Sequence, residues 1–235
     1  MFVEAIKKIA KTMFPIFFVE EIGHGQTTLG ICGTGFFINE EGVFASVAHI
    51  FDSKTEKTKY VFSGFLPDNV INPPLEIQEL CRDDEHDIFI GKVNMKTPDS
   101  LTISDKMPEI GKTICIAGYP LAEITLNNAG GFELSGVRRY YQPSFVLDYT
   151  SINIDNGKGI IRTHQGFLVR DFGLYGMSGG PVFDVNGKIY GIQGSVTRPR
   201  ISTNGTDSIS VQNAVAIKTD LVLALLESND IKLIK

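Results

Sequence analysis

Three separated segments of this chain carry side chains from which acyl-transfer chemistry can be built. The first runs Cys32-Gly33-Thr34-Gly35-Phe36-Phe37-Ile38 and continues at Phe44-Ala45-Ser46-Val47-Ala48-His49; the second is His86-Asp87-Ile88-Phe89-Ile90; the third is Gly176-Met177-Ser178-Gly179-Gly180-Pro181. A serine hydroxyl is a poor nucleophile near neutral pH and needs a base within hydrogen-bond reach. A histidine can take that proton and return it to a leaving amine. A buried carboxylate fixes the imidazole tautomer and stabilises the imidazolium. Ser178 stands in a glycine-dense turn that runs straight into Pro181-Val182-Phe183. Such a turn can expose the hydroxyl while aiming the N–H groups of Gly176 and Ser178 at one oxyanion. His49 ends one predicted strand and Asp87 opens another, so both sit at element edges where distant side chains can converge. Asp83 and Asp84 compete for the carboxylate role. Asp87 is preferred because it immediately precedes an apolar strand, whereas the other two lie in a solvated acidic run.

The elements that must position these groups are mostly strands. Phe2, Ala5, Ile6, Ile9, Ala10 and Met13 recur at helical spacing, so residues 2–13 predict a short helix, ended by Pro15. It is expected to pack on the body of the protein; a lysine-rich membrane-surface helix is the alternative. Short apolar runs between turn signals then predict strands at Phe17–Glu21, Gly30–Ile38, Val43–Val47, Lys59–Phe65, Glu76–Cys81 and Ile88–Val93. A second set follows at Thr113–Tyr119, Gly131–Tyr141, Phe145–Tyr149, Gly159–Thr163, Pro181–Asp184, Lys188–Gly194 and Ala214–Ile217. Turns are expected at Asn39–Gly42 and Asn72-Pro73-Pro74, and a hairpin turn at Asp184–Lys188. Asn94–Gly111 reads as a connection between two halves, and Asp220–Ser228 as a closing helix with Asp220 as its N-cap and Leu221, Leu223, Leu225 and Leu226 on its apolar side. The expected division is an N-terminal helix over 1–15, one strand-rich domain over 16–108, and a second over 109–235.

Composition narrows the class of function. With 43% hydrophobic and 21% charged residues, the chain has the balance of a folded globular protein. A net charge of −5 argues against nucleic acid as partner. The one basic cluster, Arg198-Pro199-Arg200, reads as a solvated loop. Three scattered cysteines, Cys32, Cys81 and Cys115, form neither a disulfide framework nor a zinc ligand set. His24, His86 and His164 have no metal-ligand spacing and are read as surface or packed histidines. Gly33-Thr34-Gly35 lacks the third glycine of a nucleotide loop and reads as a turn or bulge. No metal or other cofactor is therefore expected. The N-terminus lacks an uninterrupted apolar signal core, and no stretch reaches 18 consecutive apolar residues. A cytoplasmic location without a membrane span is the expectation, and Asn204-Gly205-Thr206 is read as a plain loop rather than a glycosylation acceptor.

These segments resemble the trypsin-like serine peptidases of the chymotrypsin fold, in the chain order His, Asp, Ser. The family pattern Gly-x-Ser-Gly-Gly-Pro matches residues 176–181, Ala-Ala-His reads here as Val47-Ala48-His49, and Asp-Ile-Ala-Leu reads as Asp87-Ile88-Phe89-Ile90. The resemblance spans roughly residues 15–228. It implies an all-β protein of two six-stranded antiparallel barrels with a short N-terminal and a C-terminal helix. It also implies a catalytic triad of His49, Asp87 and Ser178 acting through an acyl-enzyme, an oxyanion hole from Gly176 and Ser178, and a protein or peptide substrate. Phe172, Gln193, Gly194 and Ser195 fall where the family forms its primary substrate pocket, which predicts an apolar or shallow pocket. A one-residue slip would bring Asp171 to the pocket base instead and favour Arg or Lys.

Met177 stands where digestive members carry the aspartate that receives a new N-terminus, and Cys32 has no nearby cysteine to pair with. Both departures resemble the intracellular and bacterial branch, including HtrA-type peptidases, here without a PDZ domain. Two other readings remain open at this point. One is a non-catalytic peptide-binding module that keeps the fold; the other is a latent effector peptidase specific for one partner protein.

Overall fold

The computed structural model describes the chain except residues 24–25, 53–57, 63–74, 98–100, 121–122, 127–131, 136, 156–158, 198–199, 204–206, 211 and 234–235. His24, the Asn72-Pro73-Pro74 turn, Arg198-Pro199 and Asn204-Gly205-Thr206 lie outside the described residues. The chain opens with helix α1 (Val3–Ala10), whose Ala5 and Ile9 are buried; the preceding Phe2 sets its ring edge-on to Phe183 at 6.1 Å. The apolar side of this helix thus packs on the body. It is shorter than the expected 2–13: Met13 already begins strand β1 (Met13–Gly23), and Pro15 lies inside that strand. Met13, Phe14 and Ile16 are fully buried, so strand pairing, not the proline, sets the boundary.

The N-terminal half continues with β2 (Gln26–Phe37), β3 (Val43–Ser46), β4 (Thr58–Phe62), β5 (Leu75–Glu76), β6 (Gln78–Asp83) and β7 (Ile88–Lys92). Together with β1 they form one antiparallel sheet in the order β5-β4-β1-β2-β3-β7-β6. Its two edge strands are separated in sequence by Ile77 alone, whose N–H donates to the Tyr60 carbonyl at 3.1 Å, so the sheet curls back on itself. Phenylalanines fill the curl: Phe14, Phe37 and Phe44 meet with ring centroids 4.5–6.4 Å apart.

The C-terminal half holds β8 (Thr113–Gly118), β9 (Glu123–Leu126), β10 (Phe132–Ser135), β11 (Tyr140–Asp155), β12 (Ile161–Val169), β13 (Pro181–Asp184), β14 (Ile189–Thr197), β15 (Arg200–Thr203), β16 (Asp207–Ser210) and β17 (Asn213–Lys218). Six of them close a barrel in the order β11-β12-β17-β14-β13-β8, and β9–β10 and β15–β16 are separate two-stranded ribbons. The expected two-barrel, all-β architecture is what the chain adopts, with seven strands rather than six described in the first half. The strands expected at Gly131–Tyr141 and Phe145–Tyr149 are instead β10 and the long β11, in which Pro143 is accommodated opposite Cys115. The Asp184–Lys188 hairpin forms as expected. Asp184 Oδ1 accepts from the N–H groups of Asn186 and Lys188 at 2.9 and 3.2 Å, and Gly187 takes φ +78°.

Helix α2 (Thr219–Ser228) closes the chain, burying Val222 and Leu226. Its cap position is Lys218, not Asp220; the Asp220 carboxylate lies in the first turn, 3.0 Å from Lys218 Nζ. No helix among the described residues is long and apolar enough to cross a membrane.

Candidate active site

The site is assembled where the two halves meet. After β3 the chain makes a single 3-10 turn over Ala48–Phe51, and its apolar residues explain its shape. Ile50 and Phe51 are buried, and Phe51 stacks on Phe89 at 3.7 Å and 14°. Burying that ring leaves His49 facing outward, with its side chain one-third exposed.

Asp87 is held opposite this turn. It adopts φ +61°, a left-handed conformation that aspartate tolerates better than most residues. Its carbonyl accepts from Ala48 N–H at 3.2 Å, and its Oδ1 accepts from His49 N–H at 2.8 Å. Its Oδ2 lies 2.7 Å from His49 Nδ1. A carboxylate that grips both the backbone and the ring of one residue fixes the ring plane and puts the proton on Nδ1, leaving Nε2 as the basic nitrogen.

Oδ2 also meets a second ring, with His164 Nε2 at 2.9 Å, and Arg162 Nε lies 3.3 Å from Oδ1. The Asp87 side chain is 1% exposed. Burial pushes its carboxyl pKa up, but hydrogen bonds from His164 and His49 outweigh this and hold it well below the usual carboxylate range.

The competing carboxylates are committed elsewhere. Asp83 takes the N–H and Nδ1 of His86 at 3.0 and 2.8 Å, so His86 is packed as expected. Asp84 pairs with Arg82 and, at 3.3 Å, with Arg162.

Ser178 lies in the turn before β13, and contacts from the first sheet fix that turn. Thr34, fully buried in β2, receives the chain from both sides of Met177. Its N–H donates to Ser178 O at 2.8 Å and its Oγ1 to Gly176 O at 2.7 Å, while that Oγ1 accepts from Tyr119 N–H at 3.1 Å. Gly179 takes φ +85°, and a Cβ there would collide with Ser46 Oγ and the Thr34 carbonyl.

Within this turn the N–H groups of Met177, Gly179 and Gly180 donate to Leu174, Gln193 and Met177 carbonyls at 3.0, 2.8 and 2.9 Å. Those of Gly176 and Ser178 have no acceptor among the described residues. Met177 itself is fully buried with Ile114, Ile116 and Val182 in the core of the second barrel.

His49, Ser178 and Gly176 line one cleft of about 210 Å³, together with Tyr175, Ile50 and Cys32. Phe172 and Tyr175 are exposed at 46% and 75%. Gln193 is buried and its Nε2 donates to Ser195 O at 2.9 Å, while Ser195 Oγ sits 2.9 Å from His164 Nδ1. The side chains of Gln193 and Ser195 are therefore engaged by neighbouring protein groups, and neither residue lines this cleft.

A family model described as the trypsin-like peptidase domain matches residues 33–192, more than half of the chain. The chain belongs to the trypsin-like peptidases. It is thus a serine-type peptidase, and the match spans the His49, Asp87 and Ser178 segments alike. No curated protein sequence matches it significantly.

Solved structures show the fold. The active form of the Rv3671c protease from M. tuberculosis superposes with a TM-score of 0.64 at 16% identity, covering 95% of this chain and 82% of that one. The inactive form gives 0.60 at 17% identity, over 96% and 92%. The HtrA-type protease AlgW, solved with a decapeptide, gives 0.65 at 16% identity, over 98% of this peptidase and 67% of that chain.

Three residues around the site were not legible in the sequence. Thr34 straps the serine turn, His164 reaches Asp87, and Arg162 pairs bidentately with Asp52 at 2.8 and 2.9 Å beside it. Their partners lie 77 to 142 residues away, and no local pattern marks them. The Gly-Thr-Gly context of Thr34 signals only a close backbone approach.

Proposed function

We propose that this peptidase hydrolyses internal peptide bonds of protein or peptide substrates with Ser178 as nucleophile, His49 as general base and Asp87 as the group that orients His49. The observation carrying the reading is the two-point hold of Asp87 on His49, backbone and Nδ1, at the wall of the cleft that Ser178 also lines.

With Nδ1–H donated to Asp87, Nε2 is the proton-accepting nitrogen of a ring that lines the cleft. As Ser178 Oγ attacks the scissile carbonyl, its proton passes to Nε2, and the buried Asp87 carboxylate stabilises the resulting imidazolium. The carbonyl oxygen becomes an oxyanion. The N–H groups of Gly176 and Ser178, without acceptors among the described residues, supply its hydrogen bonds. Collapse of the tetrahedral species moves the proton from Nε2 to the leaving amine and leaves an ester on Ser178. Water attacks that ester by the same route, with His49 again taking the proton.

The exposed Tyr175 lines the cleft and supports an apolar preference near the scissile bond. Incubation with an unfolded protein substrate tests the function. The wild type is expected to generate peptides and Ser178→Ala none above background; equal cleavage by both would refute the assignment.

A further inference from the structure

Asp87 Oδ2 accepts two imidazole donors at once, His49 Nδ1 at 2.7 Å and His164 Nε2 at 2.9 Å. His164 projects from β12, and its side chain is 2% exposed. Its other nitrogen, Nδ1, lies 2.9 Å from Ser195 Oγ on β14.

Two backbone features make this contact possible. The register of β14 against β17 shifts between Gln193 and Ser195, so Gly194 is the extra residue of a bulge. A Cβ at Gly194 would come within 2.9 Å of His164 Nδ1 and 2.8 Å of Ile217 Cδ1, so the missing side chain is what seats the ring.

We propose that His164 is a positioning residue for the reaction, extending the Ser178–His49–Asp87 relay through Asp87 to His164 and Ser195. The inference rests on the peptidase mechanism proposed above. The ionised carboxylate can only accept, so His164 must carry its proton on Nε2. A neutral ring then offers Nδ1 as acceptor, and the Ser195 hydroxyl donates to it. Ser195 thereby fixes the tautomer of His164 as Asp87 fixes that of His49.

The Nε2–H donor of His164 holds Asp87 Oδ2 in place beside the His49 ring. The charged groups facing this ring come from several elements. Asp87 comes from the turn before β7 and Arg162 from the ring's own strand; His49 stands across Asp87, and Asp52 and Asp84 lie behind Arg162. Loss of the His164 donor leaves Asp87 more basic. His49 then holds its proton to higher pH, and the ring is less firmly oriented.

The test compares His164→Leu, His164→Gln and Ser195→Ala with the wild type, in pH profiles of kcat/KM normalised per site titrated with a fluorophosphonate. Leucine removes the donor; glutamine keeps an N–H near the Nε2 position. His164→Leu is expected to lower kcat about 10- to 100-fold with little change in KM, as for loss of a hydrogen bond to a charged group. Its acidic limb should move to higher pH. His164→Gln should restore the limb and most of kcat, and Ser195→Ala should fall between.

Full per-site activity in His164→Leu overturns the inference, as does an equal loss in the Leu and Gln variants with an unmoved limb. These outcomes, with a labelled wild type, leave the peptidase mechanism standing. A wild type that the probe never labels overturns both.

Discussion

Arg162 is the strongest structural demand that the site places on the fold. Its side chain is 3% exposed, yet its guanidinium meets three carboxylates: Asp52 at 2.8 and 2.9 Å, Asp84 at 3.3 Å and Asp87 at 3.3 Å. Replacing Arg162 by Met fills much of the same volume but removes a permanent cation from beside Asp87, leaving that carboxylate to its two histidines.

Breaking a buried pair by removing one partner costs about 3–5 kcal/mol. The low end applies here. Asp52 and Asp84 are 23% and 58% exposed and keep Arg82 as a partner, so only Asp87 is left short of charge in a dry environment. A loss of about 3 kcal/mol in a chain of this length corresponds to a fall in Tm of about 6–12 °C.

Urea denaturation at pH 7 with an unchanged m-value is the direct assay. The double variant that adds Asp52→Asn should lose less than the sum of the single losses, because the Arg162–Asp52 pair removed by either single change can be lost only once. A loss below about 1 kcal/mol for Arg162→Met, or strict additivity in the cycle, would refute the view that this guanidinium neutralises the acidic cluster beside the site.

Further expectations follow from single observations. Because the native pKa of Asp87 is depressed, its contribution to stability is complete above the unfolded value of about 3.9 and is lost as pH falls below it toward the native value. Stability of the wild type should therefore drop more steeply below about pH 4 than that of Asp87→Asn, and parallel curves would contradict the linkage. Gly179→Ala should cost more stability and activity than Gly111→Ala. Both glycines have left-handed φ, +85° and +84°, but a Cβ at Gly111 meets nothing while one at Gly179 strikes Ser46 and Thr34; equal losses in thermal unfolding would sink that distinction. Burial pushes the Cys115 thiol up to about 12, so native protein at pH 8 should leave it unreactive toward a disulfide reagent until denatured. Rapid native-state modification of Cys115 would count against its placement.

The candidate catalytic groups are legible in the sequence because each sits in a short local context. Glycines force the turn around Ser178, an apolar strand precedes His49, and another follows Asp87. That strand is what distinguishes Asp87 from Asp83 and Asp84 in the sequence; in the structure the other two carboxylates pair with His86, Arg82 and Arg162.

What surrounds the triad candidates was not readable. His164 looked like an ordinary packed histidine because its significance lies wholly in Asp87, 77 positions earlier. The resemblance that places Gln193 and Ser195 at the substrate pocket carries no sign of the bulge at Gly194, across which the Ser195 hydroxyl meets His164. Element ends are hard to read for a related reason: Met13 fits a helical pattern by spacing, but pairing with Phe36 across the sheet decides its conformation.

Activation of Ser178 as a nucleophile by His49 is open to a chemical test. Intact-protein mass spectrometry after treatment with a fluorophosphonate, on the wild type, His49→Ala and Ser178→Ala, tests it most directly. A single adduct is expected on the wild type, placed on Ser178 by peptide mapping, with sharply slowed labelling of His49→Ala and no adduct on Ser178→Ala. Labelling of Ser178→Ala at the wild-type rate, or an adduct mapped to another residue, would contradict it.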